Sequence, residues 1–509
     1  MLNDKKWKIQ KRISMVFFLI IFGIYPLAMT NGYYNVTATK LGVFGFTILA
    51  VFFFCGWIAY MEKVKADRGF QIDLIQMMRK GTDRWIGLFL LANVIAFLCS
   101  KYRSVSFTGS TDTYLGLFYV VLLVMTYVVA SRWLQETDKL VLILAVGMII
   151  VVLFALIQFL GYDPFALLTG LQTKHVYNYL STLGNTAVYG EYLILMLPVI
   201  SYAYCVEKNW KKRIIYGTGA AIGMIGIMTT NTDAAYLGMV LVVILLAMVT
   251  IGHRNKAMRY MELLICYAVG VFLMRTLDAM FPGARGVSLL TDKLMSAWKL
   301  VLIISVAALA VRLLMQYVIK KNLVYQVLTW IIRGVFCLCV IAVICGFVYF
   351  SGINRRISFY GLEKYLRFSD EWGTERGYVW RWLASIWMNA GVVQKLFGAG
   401  QGSVVLELFT HYKKEMAEGL GYFFDNAHNV YLHLLTTTGI FGCISYIGVI
   451  ISSVMEACHK EKRGHADSIL PGIAIAVIVY SIQDVVSILQ PITWCLLILY
   501  MGLLAKKEV

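Results

Sequence analysis

The stretch NAHNVYLHLLTTTGIFG, residues 426–442, joins a long polar segment to an apolar run. Asp425 and Asn426 are good N-cap residues, and the run that starts at Val430 has the length of a membrane-spanning helix. We therefore expect His428 in the first turn of this helix. There the helix dipole disfavours the imidazolium form and keeps the ring neutral, as a general base requires. The same position also suits a polar residue that only hydrogen-bonds at the membrane interface.

Composition places the chain among polytopic membrane proteins. Of its 509 residues, 60% are hydrophobic, whereas soluble proteins have about 45–50%. Apolar runs of about 20 residues recur from end to end, which predicts an all-α fold with about fourteen transmembrane helices. The net charge of +18 comes from basic residues between these runs, so we expect membrane lipids as partners and no nucleic acid. The ten cysteines lie in or beside the runs without metal spacing, and indicate neither disulfides nor a metal site.

Hydrophobicity and basic residues together predict the topology. The expected spans are roughly 13–30, 41–61, 85–101, 113–131, 139–161, 186–206, 213–230, 234–251, 260–277, 297–315, 330–350, 429–456, 468–486 and 490–505. Lysine and arginine concentrate at the amino terminus and in alternate connections, so the positive-inside rule places both termini in the cytoplasm. The chain then divides into residues 1–350 with eleven spans, a large extracytoplasmic loop at 351–428, and residues 429–509 with three spans.

The loop predicted outside the membrane carries two amphipathic patterns. Thr374 can cap a first helix, and the apolar residues that share one face of it are Val379, Trp380, Leu383, Ile386, Trp387 and Ala390. A second helix is expected over about 403–417, with Leu408, Phe409 and Tyr412 on one side. The tryptophans at 380, 382 and 387 suit a helix at the membrane–water boundary, so we expect the loop to form a structural lid on the spans.

Four ionisable residues lie inside the predicted spans, all near the outer ends: Glu191, Asp233, Arg275 and Asp484. Charged side chains are costly within a bilayer and are by default functional candidates. Four on one side indicate a water-filled cavity that opens outward below the loop. Ordinary placement at the interface explains any single one of them equally well.

Arg376 is the best candidate for binding an anion, because its guanidinium matches phosphate oxygens and lies in the first turn of a predicted helix. Arg381 is one turn away, and Arg103 and Lys174 are weaker candidates on other outside loops. Each of these could equally be a solvated surface charge. The glycine-rich GAGQGS, residues 398–403, lacks a following Lys-Ser/Thr and is interpreted as a tight turn. Without an Asp-x-Asp pair in the outside loops, we expect no divalent metal and no cofactor.

Four segments, in order, resemble the O-antigen ligase and O-antigen polymerase superfamily. The quoted stretch is similar to its His-Asn-x-Tyr/Phe-Leu segment followed by Gly-Ile/Leu-x-Gly, here with His428, Asn429 and Tyr431. GNTAVYGEYLILMLPV, residues 184–199, is similar to a second segment and contains Asn185 and Glu191. ERGYVWRW (375–382) and LFGAGQGS (396–403) are similar to the family's arginine-containing loop helix and glycine turn.

The resemblance implies an integral-membrane glycosyltransferase of the bacterial cytoplasmic membrane that acts on its extracytoplasmic face. Its donor would be an undecaprenyl-diphosphate-linked glycan, and its acceptor a glycan or a lipid. It implies that His428 is the base on the acceptor hydroxyl and that Arg376 holds the diphosphate, with Asn429, Tyr431, Asn185 and Glu191 in support. Polymerase and ligase both remain open, and we favour polymerase.

One departure from the family pattern concerns the charge near the diphosphate. Where the family often has Ser-Arg-Gly, this chain has Thr232, Asp233 and Ala234. A carboxylate beside a diphosphate is unfavourable, so either another cation binds the diphosphate or Asp233 is turned away.

The alternative function is a lipid-linked oligosaccharide flippase, which is also polytopic. A flippase is expected to have short loops on both sides of the membrane and basic side chains deep in a central cavity. The long loop that ends in His428 argues against this function.

Overall fold

The computed structural model describes residues 2–65, 81–110, 113–135, 139–169, 171, 176–177, 179–281, 284–353, 363–462 and 469–506. Within these ranges the chain is helical, with short π- and 3₁₀-helical stretches beside the α-helices, apart from its connections and one antiparallel hairpin, in which Tyr179–Leu180 pairs with Gly184–Asn185. Ten of the helices described are long and apolar enough to cross a membrane. The expected all-α architecture is confirmed.

The α-helices of the described ranges are numbered here in chain order. They are α1 Leu2–Phe18, α2 Val36–Lys65, α3 Thr82–Cys99, α4 Arg103–Thr108, α5 Leu117–Arg132, α6 Leu140–Phe159, α7 Thr186–Val206, α8 Trp210–Thr229, α9 Asp233–Thr250, α10 Arg254–Met280, α11 Leu289–Ser296, α12 Trp298–Tyr317, α13 Asn322–Val348, α14 Glu363–Leu366, α15 Trp372–Asn389, α16 Val392–Phe397, α17 Val404–Lys414, α18 Val430–Lys462, α19 Leu470–Gln483 and α20 Pro491–Leu504.

Every predicted span overlaps a helix, but the number of spans remains a prediction. The ten long apolar helices cover ten of the fourteen positions. Three more positions coincide with the shorter apolar helices α5, α19 and α20, and one with α8. The first long helix continues past α1 through a π-helical and a 3₁₀ turn to Leu27. The count of fourteen is therefore not confirmed.

Helix α7 is the centre of the bundle. It is apolar on every side, which is the pattern of a fully buried helix, and its most apolar window is entirely buried. Helices α6, α8, α9, α10, α19 and α20 all pack against it. In α13, by contrast, none of the corresponding window is buried. Near the end of α19, the hydroxyl of Tyr480 donates to the carboxylate of Glu191 in α7, so these parts of the two helices meet within the packed core.

Helix α18 is broken at Gly439, which has φ +66° and ψ −167°. This backbone region is essentially restricted to glycine. A Cβ here would lie 2.3 Å from the carbonyl carbon of Leu396. The break folds the first arm of the helix, residues 430–438, back on the second, so that the Tyr431 ring lies 6.4 Å from that of Tyr446.

The segment between α13 and α18 contains α14 to α17 and has a hydrophobic cluster of its own. From α15 it buries Val379, Trp382, Leu383 and Ile386, so the amphipathic prediction is confirmed, although Trp382 is on the buried face and Trp380 and Trp387 are only half-buried. Helix α15 starts at Trp372, and the expected cap Thr374 lies within it. The second predicted helix is α17, whose Leu408 is buried in the same cluster.

Candidate active site

Helix α18 begins later than the sequence suggested. Its first residue is Val430, and the side-chain oxygen of Asn429 accepts a 2.9 Å hydrogen bond from the amide of Leu432. This is the N-cap geometry, so Asn429 starts the helix. The caps expected at Asp425 and Asn426 are wrong.

His428 consequently lies just before α18 and not in its first turn. Its φ is +48°, which is uncommon for a residue other than glycine, and its amide donates a 3.0 Å hydrogen bond to the side-chain oxygen of Asn426. The half-buried ring packs edge-on against Phe424, with centroids 6.3 Å apart. A sparsely populated backbone conformation held by surrounding contacts is a feature that clusters at functional sites.

Two hydrogen bonds attach the start of α18 to the end of α19. The amide of Val430 donates to the backbone carbonyl oxygen of Asp484 at 2.9 Å. The hydroxyl of Tyr431 donates to the backbone carbonyl oxygen of Ser481 at 2.6 Å. The first bond satisfies an amide that a helix amino terminus leaves unpaired. Tyr431 and Val430 thus fix the helix that immediately follows His428.

Arg376 reaches the same place from α15. Its Nη1 donates a 2.6 Å hydrogen bond to the carbonyl oxygen of Val486, in the connection between α19 and α20. Burial and, after it, the positive charge of Arg376 lower the pKa of His428 to about 4. The imidazole is therefore neutral at pH 7, as expected, but burial and the arginine are the causes, where the sequence had pointed to the helix dipole.

The carboxylate of Asp233 influences the charge of Arg376. Burial lowers the pKa of Arg376, and the negative charge of Asp233 opposes this shift. Asp233 is the first residue of α9 and accepts a 3.2 Å hydrogen bond from the hydroxyl of Tyr365 on α14. The carboxylate of Asp233 is thus held by Tyr365 and acts on the charge of Arg376.

Glu191 and Asp484 form a buried acidic pair next to the start of α18. Each is only 1% exposed, and their charges are close enough to interact. Glu191 accepts hydrogen bonds from Thr493 at 2.7 Å and Tyr480 at 3.3 Å, and Asp484 accepts one from Tyr446 at 3.2 Å. The packed interior, and not an open water-filled cavity, therefore holds both carboxylates.

The remaining predicted cations have other surroundings. Arg381 forms a 2.9 Å ion pair with Asp370 and is more than half exposed. Arg103 is the exposed first residue of α4. The guanidinium of Arg275 lies 4.8 Å from the centre of the Trp298 ring on α12. Lys174 lies outside the described residues. Among the candidates that the structure describes, Arg376 is the one whose charge acts on His428.

Asn185 has a local structural role. Its side-chain oxygen accepts a 2.7 Å hydrogen bond from the amide of Ala187, so Asn185 is the N-cap of α7. It also closes the short hairpin by pairing with Tyr179. Asn185 thereby fixes the start of the helix that carries Glu191, and it does not itself approach His428 in the contacts described.

The glycine turn at 398–403 supports the break in α18. The amides of Ala399 and Gly400 donate 2.9 Å hydrogen bonds to the carbonyl oxygens of Thr436 and Thr437. A continuous helix would satisfy those carbonyls itself, and the break at Gly439 frees them. The sequence correctly identified a tight turn, but its partner could not be read from the sequence.

Three groups that bind Arg376 or residues around the candidate site could not be identified from the sequence. They are the backbone carbonyls of Asp484 and Val486 and the hydroxyl of Tyr365. The carbonyls carry no sequence signal, because every residue has one. Within the described part of the chain, no group of three or more His, Cys, Asp or Glu residues could hold a metal ion.

Residues 294–447 match the family model of the O-antigen ligase. The matched range contains Arg376, His428, Asn429 and Tyr431, and three of the four segments on which the resemblance rests. The resemblance to the O-antigen ligase superfamily is thereby confirmed. The comparison with curated proteins gave no match. Together with the ten long apolar helices, the match indicates a membrane enzyme of the ligase or polymerase type that acts on a lipid-linked glycan and an acceptor.

Proposed function

We propose that the protein is a metal-independent glycosyltransferase that moves a glycan from undecaprenyl diphosphate to an acceptor hydroxyl on the extracytoplasmic face of the bacterial cytoplasmic membrane. The observation that carries the proposal is that Arg376 and Val430, two residues after His428, both bind backbone carbonyls at the end of α19 and in the connection that follows it, and that the positive charge of Arg376 acts on the His428 ring. A base and a cation at one point are the two groups that this reaction needs.

His428 removes the proton from the acceptor hydroxyl as its oxygen attacks the anomeric carbon of the donor sugar. A sugar hydroxyl has a pKa far above 7, so it requires a base at the moment of attack. The neutral, half-buried imidazole supplies that base. The proton moves to the imidazole, the new glycosidic bond forms, and the bond between the anomeric carbon and the diphosphate oxygen breaks.

Arg376 stabilises the negative charge that develops on the diphosphate as this bond breaks. One guanidinium N–H already binds the carbonyl of Val486, which fixes the plane of the group. A guanidinium has five N–H donors, so the others can hold two phosphate oxygens together. Before the donor binds, the negative charge of Asp233 favours the charged form of Arg376.

The reaction at this site requires a defined orientation in the membrane. We propose that both termini are cytoplasmic, that residues 1–350 and 429–509 supply the spans, and that the loop at 351–428 covers the site from outside. The asymmetry of lysine and arginine supports this orientation. The separate hydrophobic cluster of α15 and α17 supports a folded loop.

Deletion of the gene followed by analysis of lipid-linked glycans tests the proposal. Accumulation of single repeat units on the lipid identifies a polymerase, which we favour. Full-length polymer that stays on its lipid identifies a ligase. Repeat units trapped on the cytoplasmic side identify a flippase and contradict the proposal.

A further inference from the structure

Two aromatic side chains just before His428 remain exposed. Tyr422 is 41% exposed and Phe423 is 46% exposed, although their neighbour Phe424 is buried. All three lie in the irregular segment that follows the left-handed Gly421 and leads to His428. The rings are therefore presented on a surface that continues directly into the candidate active site.

Contacts with the loop helices hold these rings in place. Phe424 packs edge-on against Tyr422 at 5.3 Å and against His428 at 6.3 Å. Phe423 stacks on Phe409 of α17 with centroids 4.8 Å apart and ring planes 25° apart. The hydroxyl of Tyr422 donates to the carboxylate of Glu375, which precedes Arg376. Rings fixed in this way lose little conformational entropy when a ligand stacks on them.

The surroundings of the two rings match the chemistry of a sugar. A pyranose ring has a face of C–H groups that packs on an aromatic ring, and a rim of hydroxyls that hydrogen-bond to carboxylates and amides. Asp425 and Asn426 follow Phe424 in the same segment, and Asn426 already orients the amide of His428. One short segment thus offers aromatic faces, a carboxylate, an amide and the candidate base.

We propose that Tyr422 and Phe423 form a stacking subsite for the glycan whose hydroxyl His428 deprotonates. The inference rests on the proposed function. The ring-to-ring steps from Tyr422 to Phe424 and from Phe424 to His428 are 5.3 and 6.3 Å. Phe424 thus links the Tyr422 ring to the His428 ring through two direct ring contacts. The subsite therefore binds the part of the acceptor next to the reacting sugar.

Membrane lipid is the other possible contact of exposed aromatic rings. The carboxylate of Glu375 accepts a hydrogen bond from Tyr422, and Asp425 lies in the same segment; negative charge is unfavourable against acyl chains or anionic headgroups. The same carboxylates are suitable acceptors for sugar hydroxyls. The local charge thus favours a glycan over lipid.

Binding of a free oligosaccharide to the purified full-length protein tests the subsite. The probe is the host's own lipid-linked repeat unit, released from its diphosphate by mild acid, so that Arg376 contributes no phosphate contact. We expect Tyr422→Ala and Phe423→Ala each to bind it roughly five- to tenfold more weakly than wild type by calorimetry. Tyr422→Phe retains the ring and should bind close to wild type. The matched control is Tyr34→Ala, since Tyr34 is 72% exposed elsewhere on the protein.

The outcomes separate this inference from the proposed function. Weaker oligosaccharide binding by both alanine variants supports the subsite even if no transfer activity is found, in which case only the proposed reaction fails. Wild-type affinity in both alanine variants, or no binding by the wild type, overturns the subsite. Thermal unfolding of each variant, expected to match wild type for these exposed positions, shows that the affinities compare folded proteins.

Discussion

The guanidinium of Arg376 donates a 2.6 Å hydrogen bond to the carbonyl oxygen of Val486, 110 residues further along the chain. Two residues before Val486, the carbonyl of Asp484 accepts from the amide of Val430. The connection between α19 and α20 therefore binds both Arg376 of the loop and the start of the helix that follows His428. Backbone carbonyls of a single connection set the relative position of the two groups that we assign to chemistry.

The orientation of the loop is the first prediction. In a cysteine-free background, Thr410→Cys should react with an impermeant thiol reagent in intact spheroplasts, because residue 410 is exposed and lies in the loop placed outside. Leu74→Cys, in a connection placed inside, should not react. The opposite pattern would put the proposed site in the compartment that lacks its acceptor.

His428→Ala should abolish transfer while protein level and membrane insertion remain near normal. General-base catalysis typically contributes about 10²–10⁴-fold, so more than about a tenth of wild-type activity would contradict the role. Transfer is measured with purified protein and lipid-linked donor, and insertion by membrane fractionation of the same cells.

The protonation of His428 should respond to Arg376. Since burial and the arginine lower its pKa to about 4, the ring stays neutral from pH 7 down to about pH 4. A histidine in the unfolded chain titrates near 6.5, so the stability that the neutral His428 contributes to the fold is present above that pH and is lost as the pH falls towards 4.

Removing the positive charge in Arg376→Gln should raise the pKa of His428, whereas Arg376→Lys should leave it low. The pH dependence of diethyl pyrocarbonate modification at residue 428, followed by mass spectrometry, reports this directly, and identical profiles would refute the coupling.

Arg376→Ala should bind lipid-linked donor at least about tenfold more weakly, because a charge-assisted contact is worth roughly 1.5–3 kcal/mol. Arg376→Lys keeps the charge without the planar pair of donors and should fall between alanine and wild type. His428→Ala should bind donor normally, since the base contacts the acceptor. Equal donor affinity in wild type and Arg376→Ala would mean that other residues hold the diphosphate, with Arg103, Lys174 and Arg381 the next to test.

Gly439→Ala should destabilise the fold. The backbone conformation costs about 1–3 kcal/mol for a residue with a side chain, and the new Cβ would clash with the backbone of Leu396. Thermal unfolding in detergent should therefore shift to lower temperature, together with loss of transfer. Gly419→Ala is the matched control, because nothing lies within 4 Å of its Cβ position. Equal unfolding temperatures for the two variants would contradict the role of the break.

Dialysis against EDTA should leave the transfer rate unchanged. The described residues offer no group of three metal ligands, and Arg376 already supplies positive charge for the diphosphate. A loss of activity that Mg²⁺ restores would instead implicate a metal ion held between the diphosphate and a carboxylate such as Asp233.

The sequence by itself determined the helices and the residue types of the site. Apolar runs of spanning length predict helices because a backbone in lipid must satisfy its own hydrogen bonds, and each run does coincide with a helix. The spacing of apolar residues likewise predicted α15 and α17. The motifs singled out Arg376 and His428, both within the range that matches the O-antigen ligase.

Tertiary structure decided how these pieces meet. The sequence offers three suitable N-cap residues for α18: Asp425, Asn426 and Asn429. In the folded chain Asn429 is the N-cap, and the next residue, Val430, donates to the carbonyl of Asp484. Hydropathy shows one continuous run through Gly439, because the break depends on a backbone conformation and on the distant turn that pairs with the freed carbonyls. The burial of Glu191 and the low pKa of His428 also arise from neighbours that are remote in the chain. Backbone acceptors and burial have no residue code, so only the folded chain specifies them.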